Sequence, residues 1–130
     1  MSAVLLDTHV VHWWSAEPQR ISAPAREALE EADEFAVAAI SWFELAWLAR
    51  HERIVVKIPI RSWLMGLAAQ LRTFGVTPAI ADTAVALPSS FPGDPADRLI
   101  YATAVEHDLT LVTKDRAILD HAHPRSMAIW

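Results

Sequence analysis

The 130-residue chain contains no cysteine. That excludes disulfides and thiolate–zinc sites, and it leaves the redox compartment unread. Glycine occurs only at Gly66, Gly75 and Gly93, too sparsely to build the phosphate-cradling loop of a P-loop or dinucleotide-binding protein. There is no HExxH pattern, so a zinc protease lacks its ligands. No apolar run reaches the ~18 residues that a membrane span requires. The opening MSAVLLDTHVV has no basic stretch and meets an acid at Asp7, which does not fit a secretory signal, so a cytoplasmic protein is expected. Basic residues are the minority, 11 against 16 acids, for a net charge of −5. This argues against a broad phosphate-gripping surface. A nuclease stays open, because one that gathers acids around a divalent cation carries its positive charge in the metal.

What the chain does have is a core. Hydrophobic residues make up 53% and charged residues 21%, a globular composition, and the length suits one domain over 1–130. Tryptophan occurs six times, at 13, 14, 42, 47, 63 and 130; most are expected in the core, with one or two lining a partner surface.

Strand and helix signals alternate. AVLLDT predicts a buried strand and HVVHWWSA a helix. ISAPAREALEEAD predicts a helix capped by Ser22 with Pro24 in its first turn. EFAVAAIS predicts a second strand, and SWFELAWLARHER a helix opened by Ser41 and Glu44 as a capping box. After the IVVKIP connection, apolar positions 60, 63, 64, 67, 68 and 71 predict a helix through IRSWLMGLAAQLRTFG, stopped by Gly75. VTPAIA is expected as an edge strand, since Pro78 would cost a central strand a ladder hydrogen bond. DTAVAL then predicts a short helix, PSSFPG a loop, and DPADRLIYATAV a helix to about His107. LTLVT, DRAILDHA and SMAIW predict a strand, a short helix and a terminal strand. The alternation favours an α/β fold in three layers, helices covering both faces of a mainly parallel sheet.

Sites in such sheets lie beyond the carboxyl ends of the strands. Every such junction here carries an acid: Asp7, Glu44, the pair Asp94 and Asp97, and Asp115. Each one alone can be a helix cap or a dipole partner. Together they conflict. If the junctions converge, each carboxylate pair at roughly 5 Å costs about 3 kcal/mol at an effective dielectric near 20. A cap returns only ~1 kcal/mol. Arg98, Lys114 and Arg116 are adjacent in sequence, but helix neighbours point elsewhere. A hard divalent ion resolves the repulsion, and an all-oxygen donor set suits Mg²⁺ or Mn²⁺ better than zinc. Such an ion serves phosphodiester hydrolysis.

LLDTH, ISWFELAWL, DPADRLIYATAV and LVTKDRAI, in this order and at these separations, resemble the PIN-domain proteins, in particular the VapC-type toxin ribonucleases of bacterial and archaeal toxin–antitoxin pairs. The resemblance covers essentially the whole chain. It implies an endoribonuclease using Mg²⁺ or Mn²⁺, a VapB-type antitoxin partner and a homodimer. By the same resemblance, Asp7, Glu44, Asp97 and Asp115 match the family's acidic quartet. Asp94 matches a further acid, expected to cap its helix and to reach the metal through water. The chain departs from that branch at Ala96, where an aromatic is common, and at Pro92-Gly93, where a His–Arg pair is common, so RNA choice is not inferred from this loop.

Thr8 and Thr113 flank the metal acids; a structural role as strand-end hydroxyls is expected, with a hydrogen bond to a carboxylate or a water, or a substrate contact, as the alternative. His9 is a substrate candidate; with His12 it forms an i, i+3 pair, weak as a metal site without a third ligand. Arg98, Lys114 and Arg116 are candidate RNA-backbone contacts. His121 and His123 are expected to be exposed. An apolar groove between the helices starting near 41 and 60 is a candidate peptide dock, using Trp42, Trp47 or Trp63. Two other readings stand beside the nuclease. A haloacid-dehalogenase-type phosphatase needs Asp-x-Asp, and position 9 is His. A scaffold module of the same fold has no reason to tolerate the clustered acids.

Overall fold

The computed structural model describes residues 2–121, 124 and 127–130. Five strands, β1 (Ala3–Leu6), β2 (Glu34–Ala38), β3 (Arg72–Phe74), β4 (Thr110–Val112) and β5 (Ala128–Ile129), form one sheet in the order β3-β2-β1-β4-β5. All the pairings are parallel. The chain winds outward from β1 to β3, then returns to the other side of β1. The order therefore reverses between β1 and β4, where a crevice opens at the strands' carboxyl ends.

Among the described residues seven α-helices flank the strands: α1 (Thr8–Ala16), α2 (Ala23–Glu31), α3 (Ile40–Arg50), α4 (Ile60–Ala68), α5 (Pro78–Ala86), α6 (Pro95–His107) and α7 (Arg116–Leu119). Successive strand residues face opposite ways, and the core divides accordingly. Val4, Leu6, Val37 and Val112 pack with Val10, Val11, Leu29, Leu45 and Leu67 on one face. Leu5, Ala36, Ala38 and Leu111 pack with Ile100, Tyr101, Ala104 and Ile118 on the other. Helix α5 rides outside α6 on Ile80, Ala84 and Ala102. This is the expected three-layer α/β/α arrangement. Among the described residues no helix is long and apolar enough to cross a membrane.

Most elements fall where the sequence places them, including α2 with its Ser22 cap, which accepts from the Ala25 N–H at 3.2 Å. Three do not. The helix through residues 60–74 stops at Ala68, and Arg72–Phe74 is an edge strand instead. Side chains hold that strand: Trp42 donates its indole N–H to the Thr73 hydroxyl at 3.0 Å, and Phe74 stacks on His107 at 3.9 Å. Pro78 lies in no strand. It opens α5, where the missing N–H costs nothing, and Thr77 caps the helix by accepting from Ile80 N–H at 3.1 Å. The capping box at Ser41 and Glu44 is also absent. Helix α3 starts at Ile40 with no side-chain cap, and Ser41 is turned into the core.

Helix α6 ends on Asp108 in the left-handed region at φ 53°, which lets Leu109 N–H reach Ala104 C=O at 2.9 Å. His121 is half-buried rather than exposed, with its ring edge-on to Phe91 at 5.0 Å and Tyr101 at 5.3 Å. His123 lies outside the described residues.

Candidate active site

The acids meet where the strand order reverses. Asp7, Glu44, Asp94, Asp97 and Asp115 line one cleft of about 480 Å³, together with Thr8, His9, Val10, Trp13 and Lys114. The five acids arrive from four junctions: Asp7 after β1, Glu44 one turn into α3, Asp94 and Asp97 at the start of α6, and Asp115 after β4.

Three of them are also caps. Asp7 accepts from the Thr8 N–H at 2.8 Å, Asp94 from Ala96 N–H at 2.8 Å and Asp97 N–H at 3.4 Å, and Asp115 from Ala117 N–H at 3.0 Å. The structural and the functional readings of these residues therefore coexist. The helix N-termini offset part of the charge that converges on the cleft.

Two hydroxyls stitch the junctions together. The buried Thr113 donates to Asp7 Oδ2 at 2.6 Å and accepts from the Asp115 N–H at 3.1 Å. Thr8 Oγ1 lies 2.5 Å from Glu44 Oε1 and 2.9 Å from Ser41 Oγ. One hydroxyl proton cannot serve both oxygens. The Thr8 proton goes to the carboxylate, the stronger acceptor, and Ser41 donates to Thr8. Both threonines thus hold carboxylates, the alternative reading of the sequence. Ser41 was missed, because the S-x-x-E spacing that marks a capping box also brings two side chains to one helix face.

Electrostatics follow from the crowding. Burial pushes the Asp7 carboxyl above its ordinary range, against the hydrogen bonds from Thr113 and Thr8 N–H that favour the anion. Burial also raises Glu44, with the Thr8 bond opposing and Asp7 and Asp94 adding. Asp97 is pushed up to about 7, first by burial and then by Asp7, Asp94, Asp115 and Glu44. Among the described residues its carboxyl accepts no hydrogen bond.

Two sequence candidates lie elsewhere. Arg98 does not line the cleft. Its Nε donates to Pro92 C=O, Nη1 to Ala84 and Leu87 C=O, and Nη2 to Pro88 and Phe91 C=O, at 3.0–3.4 Å. Those five carbonyls match the five N–H groups of a guanidinium, so none is left for a phosphate. Arg98 holds the 87–93 loop against α6. Arg116 points out to Asp120 at 3.8 Å and does not line the cleft. Lys114 does line it, its Nζ 5.7 Å from the Trp13 ring. His9 is exposed on the same wall. His12 does not pair with it around a metal: its Nε2 lies 3.2 Å from Glu17 on the far side of Trp13.

Of the three tryptophans proposed for peptide docking, Trp42 and Trp63 are half-buried against the core, and only Trp47 is exposed. Trp47 lines a small hollow with Phe43 and Leu48 beside Thr8 and Glu44. A separate groove between α3 and α4 is lined by Ala46, Arg50, Ile60, Arg61, Leu64 and Met65.

The family model of the PIN domain matches residues 4–124. The chain belongs to the PIN domain family. It is 67% identical over its whole length, and over the whole of the relative, to Ribonuclease VapC22 of Mycobacterium tuberculosis (strain ATCC 25618 / H37Rv). Among solved structures, a toxin-antitoxin complex from Klebsiella pneumoniae superposes at TM-score 0.72 and 22% identity, covering 98% of this chain and 96% of that one. VapBC-5 of M. tuberculosis, a member of the VapBC family of toxin-antitoxin systems, superposes at 0.61 and 24% identity, covering 99% and 97%. At these identities the structures speak for the fold. PIN-domain membership displaces the haloacid-dehalogenase reading, which His9 already opposed.

All five acids of the cleft offer oxygen, and the protein gives them few counter-charges, an environment that suits a hard divalent ion. Among the described residues, no group of three or more His, Cys, Asp or Glu side chains is already placed to hold one.

Proposed function

We propose that this PIN-domain chain is the ribonuclease toxin of a type II toxin–antitoxin pair and hydrolyses RNA phosphodiester bonds with Mg²⁺ or Mn²⁺. The observation that carries the reading is the convergence of acids from four separate junctions on one cleft at the β1/β4 reversal. The full-length likeness to a protein named as a ribonuclease supports it.

Asp7, Glu44, Asp97 and Asp115 would hold the ion, with Asp94 reaching it through water. When bound, the ion supplies a centre that activates water and neutralises phosphate charge. The protein residues divide the remaining work. Thr113 fixes Asp7 and Thr8 fixes Glu44, so two carboxylates are oriented before substrate arrives. Without the ion Asp97 is pushed up to about 7; the ion's charge would favour its anion, so Asp97 would serve as a ligand, and one of the cleft's carboxylates would take the proton of the attacking water. Lys114 and His9 stand at the rim, where a phosphate beside the scissile one would pass.

A VapB-type antitoxin is the inferred partner, supported by the fold shared with toxin–antitoxin complexes. The α3–α4 groove and the exposed Phe43, Trp47 and Met65 offer it apolar surface. The family resemblance also supports a homodimer acting in the cytoplasm.

The test is cleavage of a mixed RNA pool by pure protein, with and without Mg²⁺ or Mn²⁺, beside Asp7→Asn. Metal-dependent cutting that vanishes in the variant is expected. No cutting at any metal concentration, by folded and partner-free protein, would leave the same fold as a binding module.

A further inference from the structure

A cavity of about 820 Å³ adjoins the acidic cleft. Its walls include Arg20, Arg53 and Lys57, and it shares His9 and Trp13 with the acidic cleft. Trp13 is the ridge between the two. The ring is buried, and it carries a cation on each side: Arg20 at 5.1 Å in the basic cleft, Lys114 at 5.7 Å in the acidic one. Arg53 lies 5.8 Å from the ring of Trp47.

Apart from Arg20, these cations have no acid partner among the described residues. Elsewhere, Arg26 and Arg98 are bonded to carbonyls, Arg72 and Arg116 are paired with acids, and Arg50 and Arg61, in the α3–α4 groove, are without an acid within 4 Å. Among the described residues, none of Arg53, Lys57 and Lys114 has a carboxylate within 4 Å, and Arg20 has only Glu17 at 3.8 Å. On a chain of net charge −5, a cleft with three cations and a single acid, Glu17, runs against the overall balance. An anion laid along them offsets that arrangement.

We propose that this basic cleft carries the RNA strand on one side of the scissile phosphate, with Arg20, Arg53 and Lys57 on its phosphates and the Trp13 ridge leading into the acids. The proposal rests on the ribonuclease reading above. A substrate strand must leave the acidic cleft somewhere, and here the exit is continuous, open and of the right charge. Contacts of this kind govern affinity and register, not base choice.

The experiment is fluorescence anisotropy of a labelled unstructured RNA of about 20 nucleotides, in a Mg²⁺-containing salt series, on the Asp97→Asn protein so that nothing is cut. Adding Arg53→Gln and Lys57→Gln should weaken binding roughly ten-fold near 0.1 M salt and lower the salt slope by about 1.4, since each phosphate contact on a single strand contributes ~0.7. Arg61→Gln with Arg72→Gln removes the same charge outside the cleft and should move both far less. Glu17→Gln removes the acid of the cleft and should tighten binding, an effect misfolding does not mimic. Equal weakening by both double variants, or none by either, overturns the proposal while the cleavage test still stands. If the cleft variants keep RNA but lose an acidic antitoxin peptide, the cleft belongs to a protein partner and the proposal falls. Failure of the Asp97→Asn parent to bind any RNA would instead count against the ribonuclease reading, and this proposal with it.

Discussion

Thr113→Val tests how the site is held. The substitution keeps the shape of the side chain and removes one hydroxyl, which donates to Asp7 at 2.6 Å and accepts from Asp115 N–H at 3.1 Å. A hydrogen bond to a charged group is worth ~1.5–3 kcal/mol and a neutral one about 1, so the loss is roughly 2–4 kcal/mol with Asp7 ionised. At ~3–4 °C per kcal/mol for a domain of this size, melting falls by about 6–15 °C. The pH dependence carries the sharper test. Burial has already raised Asp7 above its ordinary value, so its stability contribution is complete below about pH 4 and is lost as pH rises through the folded pKa. The Thr113 bond opposes that rise, and removing it extends the loss to higher pH. Melts of both proteins in chelator, from about pH 4 to pH 8, should therefore start close together and separate as pH rises. A gap that is constant, or that narrows toward neutral pH, would refute the argument that this hydroxyl serves the ionised carboxylate.

Asp97→Asn should abolish RNA cutting yet stabilise the metal-free protein at neutral pH. A carboxyl pushed up to about 7 loses its stability contribution between about pH 4 and 7, and after discounting for a half-exposed group the gain is ~1–2 kcal/mol; urea melts at pH 5 and 8 read it, and no gain at pH 8 counts against the crowding account. Mn²⁺ at about a hundred times its Kd should stabilise the parent by ~2.7 kcal/mol, with much of that shift lost in Asp7→Asn; an unchanged melting curve for the parent would count against the metal. Arg98→Lys cannot satisfy five carbonyls and should cost ~2–3 kcal/mol, with faster amide exchange across residues 87–93; unaltered exchange there would show that the loop does not depend on it.

The fold was legible where the pattern had one physical outcome. Buried strands ending in acids, and helices with Ser22 or Asp94 at their caps, follow from apolar runs and capping chemistry alone. The misreadings cluster between residues 60 and 81, where two rules compete. Leu71 continues the helical spacing of α4, yet it packs into the core from the turn before an edge strand of three residues, too short to show alternation. Pro78 is barred from a central strand and favoured at a first helical turn, and the Thr77 cap decides between the remaining options. Only pairing partners distant in sequence, Trp42 for Thr73 and His107 for Phe74, reveal the strand.

The acids of the site were visible because a strand-to-helix junction in a parallel sheet selects them twice. The same Asp caps a helix and faces the crevice, so capping does not argue against function. What spacing could not supply is the division of labour among them. Asp7 and Glu44 are held by hydroxyls from Thr113 and Thr8, contacts spanning 106 and 36 positions in sequence. Asp97 has no such restraint and bears the summed repulsion of its neighbours. Its charge therefore depends on whether a cation is present. If the proposed ion binds, a site with two oriented acids and one whose ionisation follows the cation would couple metal affinity to pH through Asp97. Freezing that charge as the amide should flatten the pH dependence of Mn²⁺ affinity, whereas Thr113→Val should weaken affinity and leave a pH dependence in place. If both variants flattened it alike, the division between held and responsive acids would be wrong.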